Sequence, residues 1–427
     1  MISVKQAIDI CLNQISVSEP ETVSILDAVG YVLAEDINSN IAMPPFDKST
    51  MDGYALRAGD VVNTPAILEV VGVIPAGSFP KCEIHAGQTA KIMTGAPLPR
   101  GADAVQMVEK TEALENGKVR ILEPVAPGKN ISPKSEILRV DEKVLGRGTY
   151  ISPAVVGVLA AVGKDRVQIY RRPWVAILVT GDELVEIDQK PRAGQIRNSN
   201  GYALYHQVRN CGALPKPLGI APDQRDALRS KIADGLKCHV LLISGGVSMG
   251  DLDFVEEVFT QLGVTVFFDA VNIKPGKPTV FGRKGDTLVF GLPGNPVSAS
   301  TIFEVLVKPA LRKMMGFAQV QSLLLSAVAT NDFDSKTRRE NYAPSWTRIE
   351  ENKIYTSVLP SKGSSDIVAF AKSNSFAVIP GERQQVHRGE LVDVVLRDEF
   401  WMTNGSMGLS KKEGIFIARS VSDEAIS

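Results

Sequence analysis

Apolar residues recur at helical spacing at the start of the chain, with polar residues between them. The stripe consists of Val4, Ala7, Ile8, Cys11, Leu12 and Ile15. Residues three or four apart share one face of an α-helix, so this spacing predicts an amphipathic helix with Ser3 as its N-cap. No basic segment precedes a continuous apolar run. The pattern therefore disfavours a secretory signal peptide and favours a cytoplasmic protein.

From about residue 40 to 150, apolar runs are short and turn signals are dense. Strings rich in proline and glycine, such as "IPAGSFP" and "TGAPLPRGAD", separate segments that suit strands, including residues 66–74 and 119–122. This pattern predicts a β-rich domain.

Between about residues 173 and 318, near-continuous apolar runs alternate with helical patterns. The apolar runs predict strands at residues 175–179, 217–220, 239–243, 264–268 and 287–291. The intervening helices are predicted to begin near Asn198 or Ser199, at Asp223, at Phe254 and at Val297. Repeated strand–helix–strand units predict a parallel sheet that helices cover on both faces.

After about residue 320, short strand-like segments return, among them "SLLLSAVA", "SFAVIP" and "LVDVVL". Their spacing favours a small β-barrel or sandwich. Residues 398–427 lack clear periodicity and are expected to form a loosely structured tail. The predicted fold class is therefore multidomain, α/β plus β.

Composition and charge narrow the functional classes. The 427 residues are 44% hydrophobic and 22% charged, with a formal net charge of −1. Such a chain has no general attraction for nucleic acid or an anionic membrane, so any anion site has to be built locally. The four cysteines form no CxxC pair and the four histidines are scattered, which disfavours a zinc or histidine-based metal site. No apolar stretch is long enough to span a bilayer.

Three glycine-containing motifs follow predicted strands and are expected to open onto one edge of the sheet. They are Thr180-Gly181-Asp182-Glu183, Ser244-Gly245-Gly246-Val247-Ser248 and Pro293-Gly294-Asn295-Pro296. Ligands of open parallel sheets bind beyond the carboxyl ends of the strands. Two adjacent glycines let backbone N–H groups approach a phosphate, and the serines add hydroxyl donors. A Gly-Gly pair is also common in a simple tight turn.

Two further features of this region suit an anionic ligand. In "NIKPGKP", Lys274 and Lys277 flank a proline–glycine turn that can hold both ammonium groups toward one anion. In "PGNPVSAS", Pro293 and Pro296 stiffen the turn, and Ser298 can point its hydroxyl into the same space. We interpret the first as an anion site and the second as a pocket wall, although surface lysines usually only increase solubility.

Acidic residues accumulate at the same edge of the predicted sheet: Asp182, Glu183, Asp223, Asp251 and Asp253. Magnesium in proteins uses one or two carboxylates together with substrate phosphates, so these residues predict a magnesium site. Asp223 and Asp251 are equally suited to cap a helix, and the residues alone leave both alternatives open.

Six strings in the chain resemble the MoeA family, the molybdopterin molybdenumtransferases, which is also represented by the C-terminal domain of gephyrin. The strings are "PPFDKSTMDGYAL", "KIMTGAPLPRGADAV", "VAILVTGDEL", "SGGVSMGDLDF", "IKPGKPTVFG" and "GLPGNPVSAS". They occur in family order, and the resemblance covers residues 1 to about 397.

The resemblance implies a homodimer of elongated, four-part subunits. The expected parts are a discontinuous linker domain of residues 1–45 and 140–172, an inserted β-rich domain of residues 46–139, a molybdopterin-binding α/β domain of residues 173–318 and a C-terminal β-barrel-like domain of residues 319–397. The implied reaction inserts molybdate into adenylylated molybdopterin and releases AMP with Mg²⁺. A molybdopterin adenylyltransferase would be the upstream donor, and no nucleic acid or membrane is expected to take part.

The resemblance also implies roles for individual residues. Lys274, Lys277 and Ser298 would bind molybdate. The pterin phosphate or nucleotide would contact Thr180, Gly181, Ser244, Gly245, Gly246 and Ser248, with Pro293, Gly294, Asn295 and Pro296 as a wall. Asp223 and Asp253 would hold magnesium, with Glu183 serving the magnesium or the pterin. Asp52 and Thr94 would reach in from the β-rich domain of the partner subunit, and Ser364 from the C-terminal domain.

The chain departs from the family pattern at a few positions. Ser132 stands where arginine is common, Ser135 where glycine is common, and Ile137 where an acid is common. Lys48 replaces a usual asparagine, and Ala343 a typical arginine. Loss of arginines would weaken anion affinity. The alternative hypothesis is therefore a catalytically weakened paralogue that acts as a molybdopterin-binding carrier or scaffold. An amidohydrolase or nucleotide enzyme that shares only the α/β domain is a weaker third hypothesis.

Overall fold

The computed structural model describes residues 1–246 and 255–397. The chain forms two compact units. The larger unit comprises Met1–Glu21, Gly30–Ala34 and the chain from Gln168 onward, and the smaller unit comprises Thr22–Val29 and Glu35–Val167. The predicted fold class, α/β plus β in several domains, is confirmed. The domain boundaries derived from the sequence stay predictions, and the tail of residues 398–427 lies outside the described residues.

The helices of the described residues are α1 (Val4–Asn13), α2 (Pro153–Ala161), α3 (Asn200–Asn210), α4 (Arg225–Gly235), α5 (Val255–Gln261), α6 (Pro296–Ile302), α7 (Lys308–Met314) and α8 (Ile367–Ala371). The predicted N-terminal helix is confirmed as α1, and the Ser3 hydroxyl accepts the backbone N–H of Gln6. None of the helices in the described part of the chain has the length and apolar composition that a membrane crossing requires.

The smaller unit is built on a six-stranded sheet. Its strands are β1 (Gly53–Leu56), β2 (Ala66–Ile74), β3 (Gln88–Ile92), β4 (Ala104–Met107), β5 (Thr111–Ala113) and β6 (Lys118–Ile121), in the order β4-β1-β3-β2-β6-β5. Only the β2–β3 pairing of this sheet is parallel. The prediction of a β-rich region is confirmed, including the strands at 66–74 and 119–122.

The central sheet of the larger unit also has six strands. They are β7 (Trp174–Thr180), β8 (Leu214–Ala221), β9 (Val240–Ser244), β10 (Thr265–Ala270), β11 (Pro278–Lys284) and β12 (Thr287–Leu292), in the order β8-β7-β9-β12-β11-β10. The predicted parallel sheet is confirmed for β8, β7, β9 and β12. The sheet continues into β11, which is antiparallel to β12, and then into β10, which is antiparallel to β11. Lys284 pairs with Thr287, so a two-residue turn joins β11 to β12, and such a turn can only connect antiparallel strands.

Two apolar cores cover the faces of this sheet. Along β7, Val175 and Ile177 pack into the first core, while Ala176 and Leu178 pack into the second. Alternate side chains of a strand point to opposite faces, so burial of both faces requires the near-continuous apolar runs seen in the sequence.

The last part of the larger unit is a closed five-stranded barrel. Its strands are β13 (Leu324–Ala329), β14 (Glu340–Glu350), β15 (Lys353–Val358), β16 (Ser375–Ile379) and β17 (Leu391–Leu396). They follow the order β14-β15-β13-β17-β16, and pairing of β14 with β16 closes the barrel. The short strand Ile273–Lys274 pairs with the start of β14. This pairing fixes the segment Lys274–Lys277, which we refer to as the lysine turn, against the barrel.

Shorter strands complete the described fold: Pro20–Ser24, Ile37–Asn38, Lys48–Ser49, Ile131–Ser132, Lys143–Leu145, Arg166–Tyr170, Leu184–Val185, Ile196–Arg197, Phe333–Asp334 and Gln385–Val386. The helix predicted from Val297 has the expected extent, but its central segment, Phe303–Val307, is π-helical.

One predicted helix cap is wrong. Asp223 is not the N-cap residue of α4, because that position belongs to Gln224, whose side chain makes no capping hydrogen bond. The dipeptide Pro222–Asp223 instead remains in the strand-to-helix connection, where the carboxylate of Asp182 accepts the backbone N–H of Asp223.

Candidate functional site

The carboxyl ends of β7, β9 and β12 meet at one edge of the central sheet. Gly245 donates its backbone N–H to the carbonyl of Leu292 at 3.1 Å, and the Ser244 hydroxyl donates to the carbonyl of Pro293 at 3.3 Å. These strands are neighbours in the sheet. The structure therefore brings the three motifs together at one edge, as their positions after parallel strands predicted. We refer to this place as the crevice.

Asn200 connects two of the three motifs and was not predicted as a site residue. Its amide nitrogen donates to the Ser244 hydroxyl and to the carbonyl of Gly294, both at 2.8 Å. The side chain is buried in the first turn of α3. The available signal was an asparagine at the predicted start of the helix that follows the Thr180–Glu183 motif.

Gly245 allows the β9 loop to pass directly against the end of β7. Its φ is +97°, and a Cβ atom there would lie 2.5 Å from the carbonyl oxygen of Thr180. Gly246 follows with a φ of +64°. Both values lie in the left-handed region that favours glycine. Ser248 belongs to the same motif but lies outside the described residues.

Thr180 presents a buried hydroxyl to this place. The residue is 3% exposed, and its Oγ1 has no hydrogen-bond partner among the described residues. Buried hydroxyls are rarely left without a partner, so the group is suited to bind a ligand or a water molecule. Next to it, Gly181 has a φ of +148°, and a Cβ atom there would lie 2.6 Å from a carboxylate oxygen of Glu183.

Two of the predicted acidic residues, Asp182 and Asp223, are neighbours at this edge. The carboxylate of Asp182 accepts the backbone N–H of Asp223 at 3.0 Å, which joins the ends of β7 and β8. Within residues 1–246 and 255–397, no group of three or more His, Cys, Asp or Glu residues is arranged to hold a metal ion. Carboxylate oxygens suit Mg²⁺, which needs only one or two of them when phosphates supply the rest, so the donor chemistry fits. Asp251 and Asp253 lie outside the described residues.

The lysine turn lines a cavity of about 760 Å³ between the central sheet and the barrel. Among the predicted residues, the lining includes Lys274, Lys277, Pro293, Asn295, Ser298 and Ser364. The backbone N–H of Val297 donates to the carbonyl of Ser364 at 3.1 Å, which joins the start of α6 to the barrel segment. We refer to this space as the lysine cavity. Pro296 begins α6, and Gly294 packs against Gly245 of the crevice.

The lysine turn is held by Gly276. Its φ is +118°, and a Cβ atom there would lie 2.7 Å from the side chain of Ile302, which is fully buried. The glycine in "KPGKP" is therefore required by both conformation and space. Lys274 is half-buried and Lys277 is exposed.

Two cations in this cavity were not predicted. Lys336 and Arg339 belong to its lining, and Arg339 donates to the carbonyl of Ile273 at 3.1 Å. Lys274 donates to the carbonyl of Ser335 at 3.2 Å. Burial lowers the pKa of Lys274, and the positive charges of Arg339 and Lys336 lower it further. The string "SKTRRE" was the available signal.

Four cations belong to the lining of the lysine cavity. For Lys274, Lys277, Lys336 and Arg339, no ion pair occurs within the described part of the chain. Asp332 and Asp334 also belong to the lining. Concentrated positive charge of this kind attracts an anion, and the half-buried amine of Lys274 interacts with it more strongly than an exposed amine would.

Asp52 and Thr94 lie together in the smaller unit. The backbone N–H and the hydroxyl of Thr94 both donate to one carboxylate oxygen of Asp52, at 2.7 and 2.8 Å. These bonds, the backbone one first, lower the pKa of Asp52. The carboxylate is therefore held ionised and in a fixed orientation on the surface of this unit.

The positions that depart from the family pattern have distinct surroundings. Ser132 is buried, donates its hydroxyl to the carboxylate of Glu136, and pairs with Lys48 across two short antiparallel strands. Ile137 is 65% exposed. Ala343 is buried in the wall of the lysine cavity.

The two-core α/β sheet with its strand-end crevice, joined to a five-stranded barrel, corresponds to known protein families. Residues 2–163 match the family described as "MoeA N-terminal region (domain I and II)", residues 176–313 match "Probable molybdopterin binding domain", and residues 326–396 match "MoeA C-terminal region (domain IV)".

The chain belongs to the MoeA family. It is 35% identical over 397 residues to the molybdopterin molybdenumtransferase of Bacillus subtilis, with 91% of each chain covered. It is 36% identical over 394 residues to the protein of the same name from a Nostoc species, with 89% of this chain and 90% of that one covered. The crystal structure of the molybdopterin biosynthesis protein MoeA of Pyrococcus horikoshii matches with a TM-score of 0.80 and 31% identity, over 93% of this chain and 100% of that one.

Proposed function

We propose that this chain is a molybdopterin molybdenumtransferase, an enzyme of molybdenum cofactor biosynthesis that inserts molybdate into adenylylated molybdopterin and releases AMP. The names of the relatives and the match over most of the chain support the assignment. The single observation that carries it is the set of four cations in the lysine cavity that have no ion pair within residues 1–246 and 255–397, because molybdate is a small tetrahedral dianion.

In this proposal the lysine cavity binds molybdate. Lys274 and Lys277 supply charge, and Ser298, which is 3% exposed, supplies a hydroxyl at the start of α6. Lys336 and Arg339 add positive charge from the barrel side. Ammonium and guanidinium groups form charge-assisted hydrogen bonds with oxyanions, which are stronger than neutral ones.

The crevice would hold the phosphate or nucleotide part of the substrate. Gly245 and Gly246 leave room for a phosphate to approach the backbone, and the hydroxyls of Thr180 and Ser244 are the adjacent polar groups. Gly181 would contact the same part of the substrate, and Ser248 would complete the motif. The wall would consist of Pro293, Gly294, Asn295 and Pro296.

Magnesium is part of the proposal. Asp223 and Asp253 would hold it, with Glu183 beside them. When bound, the ion would neutralise charge on the phosphate that leaves with AMP. Asp182 would help to position Asp223 for this role, because its carboxylate accepts the backbone N–H of Asp223 at the end of β8.

The proposed assembly is a cytoplasmic homodimer. Asp52 and Thr94 of the partner subunit would complete the site, and Ser364 would contribute from the barrel side of the lysine cavity. A molybdopterin adenylyltransferase would supply the substrate. The four cysteines remain thiols, which agrees with a reducing compartment.

A second candidate is a molybdopterin-binding carrier or scaffold with weak turnover. It is favoured by Ala343, which places a methyl group in the wall of the lysine cavity, and by Ser132, whose hydroxyl bonds to Glu136. Neither residue offers the positive charge that an arginine would bring to an anion.

Release of AMP from purified adenylylated molybdopterin, measured with and without molybdate, separates the two candidates. If the chain is a transferase, we expect AMP release to depend on molybdate. Lys274→Ala should then lower the rate of AMP release by roughly a hundredfold, because a charge-assisted contact is lost. Lys372→Ala, which removes an exposed lysine at the end of α8, is the matched control. Binding of the substrate without any AMP release would contradict the transferase and favour the carrier.

A further inference from the structure

A second cavity, of about 380 Å³, lies between α3 and the strands β7 and β8. Its floor includes Ile177 and Val179 of β7 together with Pro217 and Gly219 of β8. The volume is within the range of about 300–1,000 Å³ that is usual for small-molecule sites. We refer to it as the tyrosine cavity, after the two tyrosines that line it.

The tyrosine cavity exists because a side chain is missing from β8. Gly219 has a φ of +76°, and a Cβ atom there would meet no atom within 4 Å. The neighbouring Leu218 packs into the core on the other face of the sheet. The pairing of β7 with β8 also shifts register next to this point. A residue with a side chain at position 219 would project into the space, so the glycine keeps the cavity open.

Two tyrosines of α3 form the aromatic wall. Tyr202 and Tyr205 are three residues apart and therefore share one face of the helix. Ile177 and Val179 oppose them as a buried apolar surface. A space between an aromatic wall and an apolar floor suits a planar ring, because such a ring can stack on one and pack on the other.

Among the polar groups at the rim, which also include His206 and the tyrosine hydroxyls, Glu186 provides an acceptor and Asn198 provides a donor. The carboxylate of Glu186 has only a long contact, 3.4 Å, from the hydroxyl of Tyr202, and no ion pair for it occurs in the described part of the chain. The oxygen of the Asn198 amide accepts the backbone N–H of Gly201 at 2.9 Å. The nitrogen of this amide has no hydrogen-bond partner among residues 1–246 and 255–397, and Asn198 is 4% exposed. This nitrogen is not among the buried unpartnered atoms, so it is an accessible donor beside the cavity.

The tyrosine cavity adjoins the crevice. Val179 belongs to its floor, and the next residue, Thr180, carries the buried hydroxyl without a partner. Asn198 belongs to its rim, and Asn200, two residues on, bonds to Ser244 and Gly294 of the crevice. The two places are therefore connected through the end of β7 and the start of α3.

We propose that the tyrosine cavity binds the pterin ring of the substrate through its aminopyrimidinone edge. This inference rests on the proposed function for the identity of the substrate. A pterin has an amino group beside a ring N–H, and two adjacent donors match a carboxylate, which only accepts hydrogen bonds. Its oxo group matches the donor of Asn198. Adenine has an amino donor beside a ring acceptor, so it fits Glu186 less well.

The test measures binding of neopterin, lumazine and AMP to the full-length protein by calorimetry. Neopterin should bind saturably, and the lumazine with the same trihydroxypropyl side chain, in which an oxo group replaces the amino group, should bind at least about tenfold more weakly. Glu186→Gln and Tyr205→Leu should each lower the affinity for neopterin by about tenfold or more, since one removes an acceptor and the other removes the stacking ring. AMP should bind with the same affinity to both variants.

Matched controls separate this effect from damage to the fold. Glu351→Gln and Tyr355→Leu change the same residue types in the barrel and should leave neopterin affinity unchanged. Tyr202→Leu alters a more exposed ring of the same wall. This variant replaces Tyr205→Leu in the test if Tyr205→Leu does not fold. Absence of neopterin binding, equal binding of neopterin and lumazine, or unchanged affinity in the variants would each overturn the proposal.

The result can be distinguished from failure of the proposed function. Molybdate-dependent AMP release by a wild-type protein that does not bind neopterin would refute the pterin site and leave the transferase intact. Neopterin binding that depends on Glu186 and Tyr205, without any AMP release, would support the pterin site and refute the transferase.

Discussion

Ser135 adopts a backbone conformation that favours glycine. Its φ is +65°, and its backbone N–H donates to the carbonyl of Pro44 at 3.0 Å. A residue with a Cβ atom pays roughly 1–2 kcal/mol in the left-handed region, while glycine loses more backbone freedom on folding. The positive φ therefore suits the glycine that the family resemblance implies at this position.

Replacing Ser135 by glycine should stabilise the protein. We expect Ser135→Gly to raise the free energy of unfolding by roughly 0.5–1 kcal/mol, because the strain is removed and the backbone hydrogen bond is kept. Urea unfolding of the wild type and the variant provides the measurement, and the dependence of the unfolding free energy on urea concentration should be the same for both. Asp393→Asn, on an exposed barrel position, should change nothing. A less stable glycine variant would contradict the explanation.

Lys274 should make molybdate binding depend on pH. Burial and the charges of Arg339 and Lys336 lower its pKa, so the free protein loses this proton at a lower pH than an ordinary lysine does. A bound dianion favours the ammonium form and raises the pKa again. Molybdate binding should therefore take up a proton at alkaline pH and should weaken as pH rises further.

For the free protein, stability should rise with pH between the folded and unfolded pKa values of Lys274.

Calorimetry in buffers of different ionisation enthalpy measures this proton uptake. We expect uptake at pH values just above the lowered pKa and none well below it. Lys274→Arg should abolish the uptake, because arginine remains protonated throughout. The same uptake in wild type and Lys274→Arg would assign it to another group.

The sequence allowed prediction of those cavity residues that lie in or next to a rigid local motif. Lys274 and Ser298 follow from the Pro-Gly turn and from the first helical turn after "PGNP". Arg339 could not be placed in the same way. Its bond to Ile273 joins residues 66 positions apart, and that proximity depends on how the barrel packs.

At the scale of elements, the close contact between the β9 loop and the end of β7 depends on one glycine. Gly245→Ala would place a Cβ atom 2.5 Å from the carbonyl oxygen of Thr180 and would strain a φ of +97°. We expect a loss of about 1–3 kcal/mol in the free energy of unfolding and a marked loss of AMP release. Both effects have the same cause, displacement of the loop from the crevice.

Gly285 offers a matched control for this substitution. It has a φ of +56° in the turn between β11 and β12, and a Cβ atom there would meet nothing within 4 Å. Gly285→Ala should lower stability by a similar backbone cost and leave AMP release unchanged. Thermal unfolding and the AMP assay on both variants provide the comparison. Equal loss of activity in the two would show that the effect is general instability.

Periodicity predicted which elements exist better than how they pair. Buried strands such as β7 and β12 read as continuous apolar runs whether their neighbours are parallel or antiparallel. The direction of β11 follows from the two-residue turn at Gly285 and Asp286, and a glycine beside an acid was the available signal. Asp223 failed as a cap because an acidic residue before a helix satisfies the capping pattern even when another interaction holds its backbone.

At the scale of the whole molecule, the charges are distributed unevenly although they nearly cancel. The formal net charge is −1, yet the lysine cavity of the larger unit is lined by four cations that have no ion pair in the part of the chain that the structure describes. Composition alone therefore could exclude general attraction to polyanions and could not reveal a local anion site. That site forms only when the segment after β10 and the start of β14 come together.

Molybdate should consequently stabilise one unit of the chain. Each compact unit has cores of its own, so we expect their thermal transitions to be separable by scanning calorimetry. A ligand that binds only the folded state at a hundred times its Kd adds about 2.7 kcal/mol. This should raise the Tm of the larger unit by several degrees and leave that of the smaller unit unchanged. Lys274→Ala should remove the shift, while Lys372→Ala should retain it. Equal shifts of both transitions would place the anion elsewhere, because selective stabilisation follows only if the oxyanion binds among the cations of the lysine cavity.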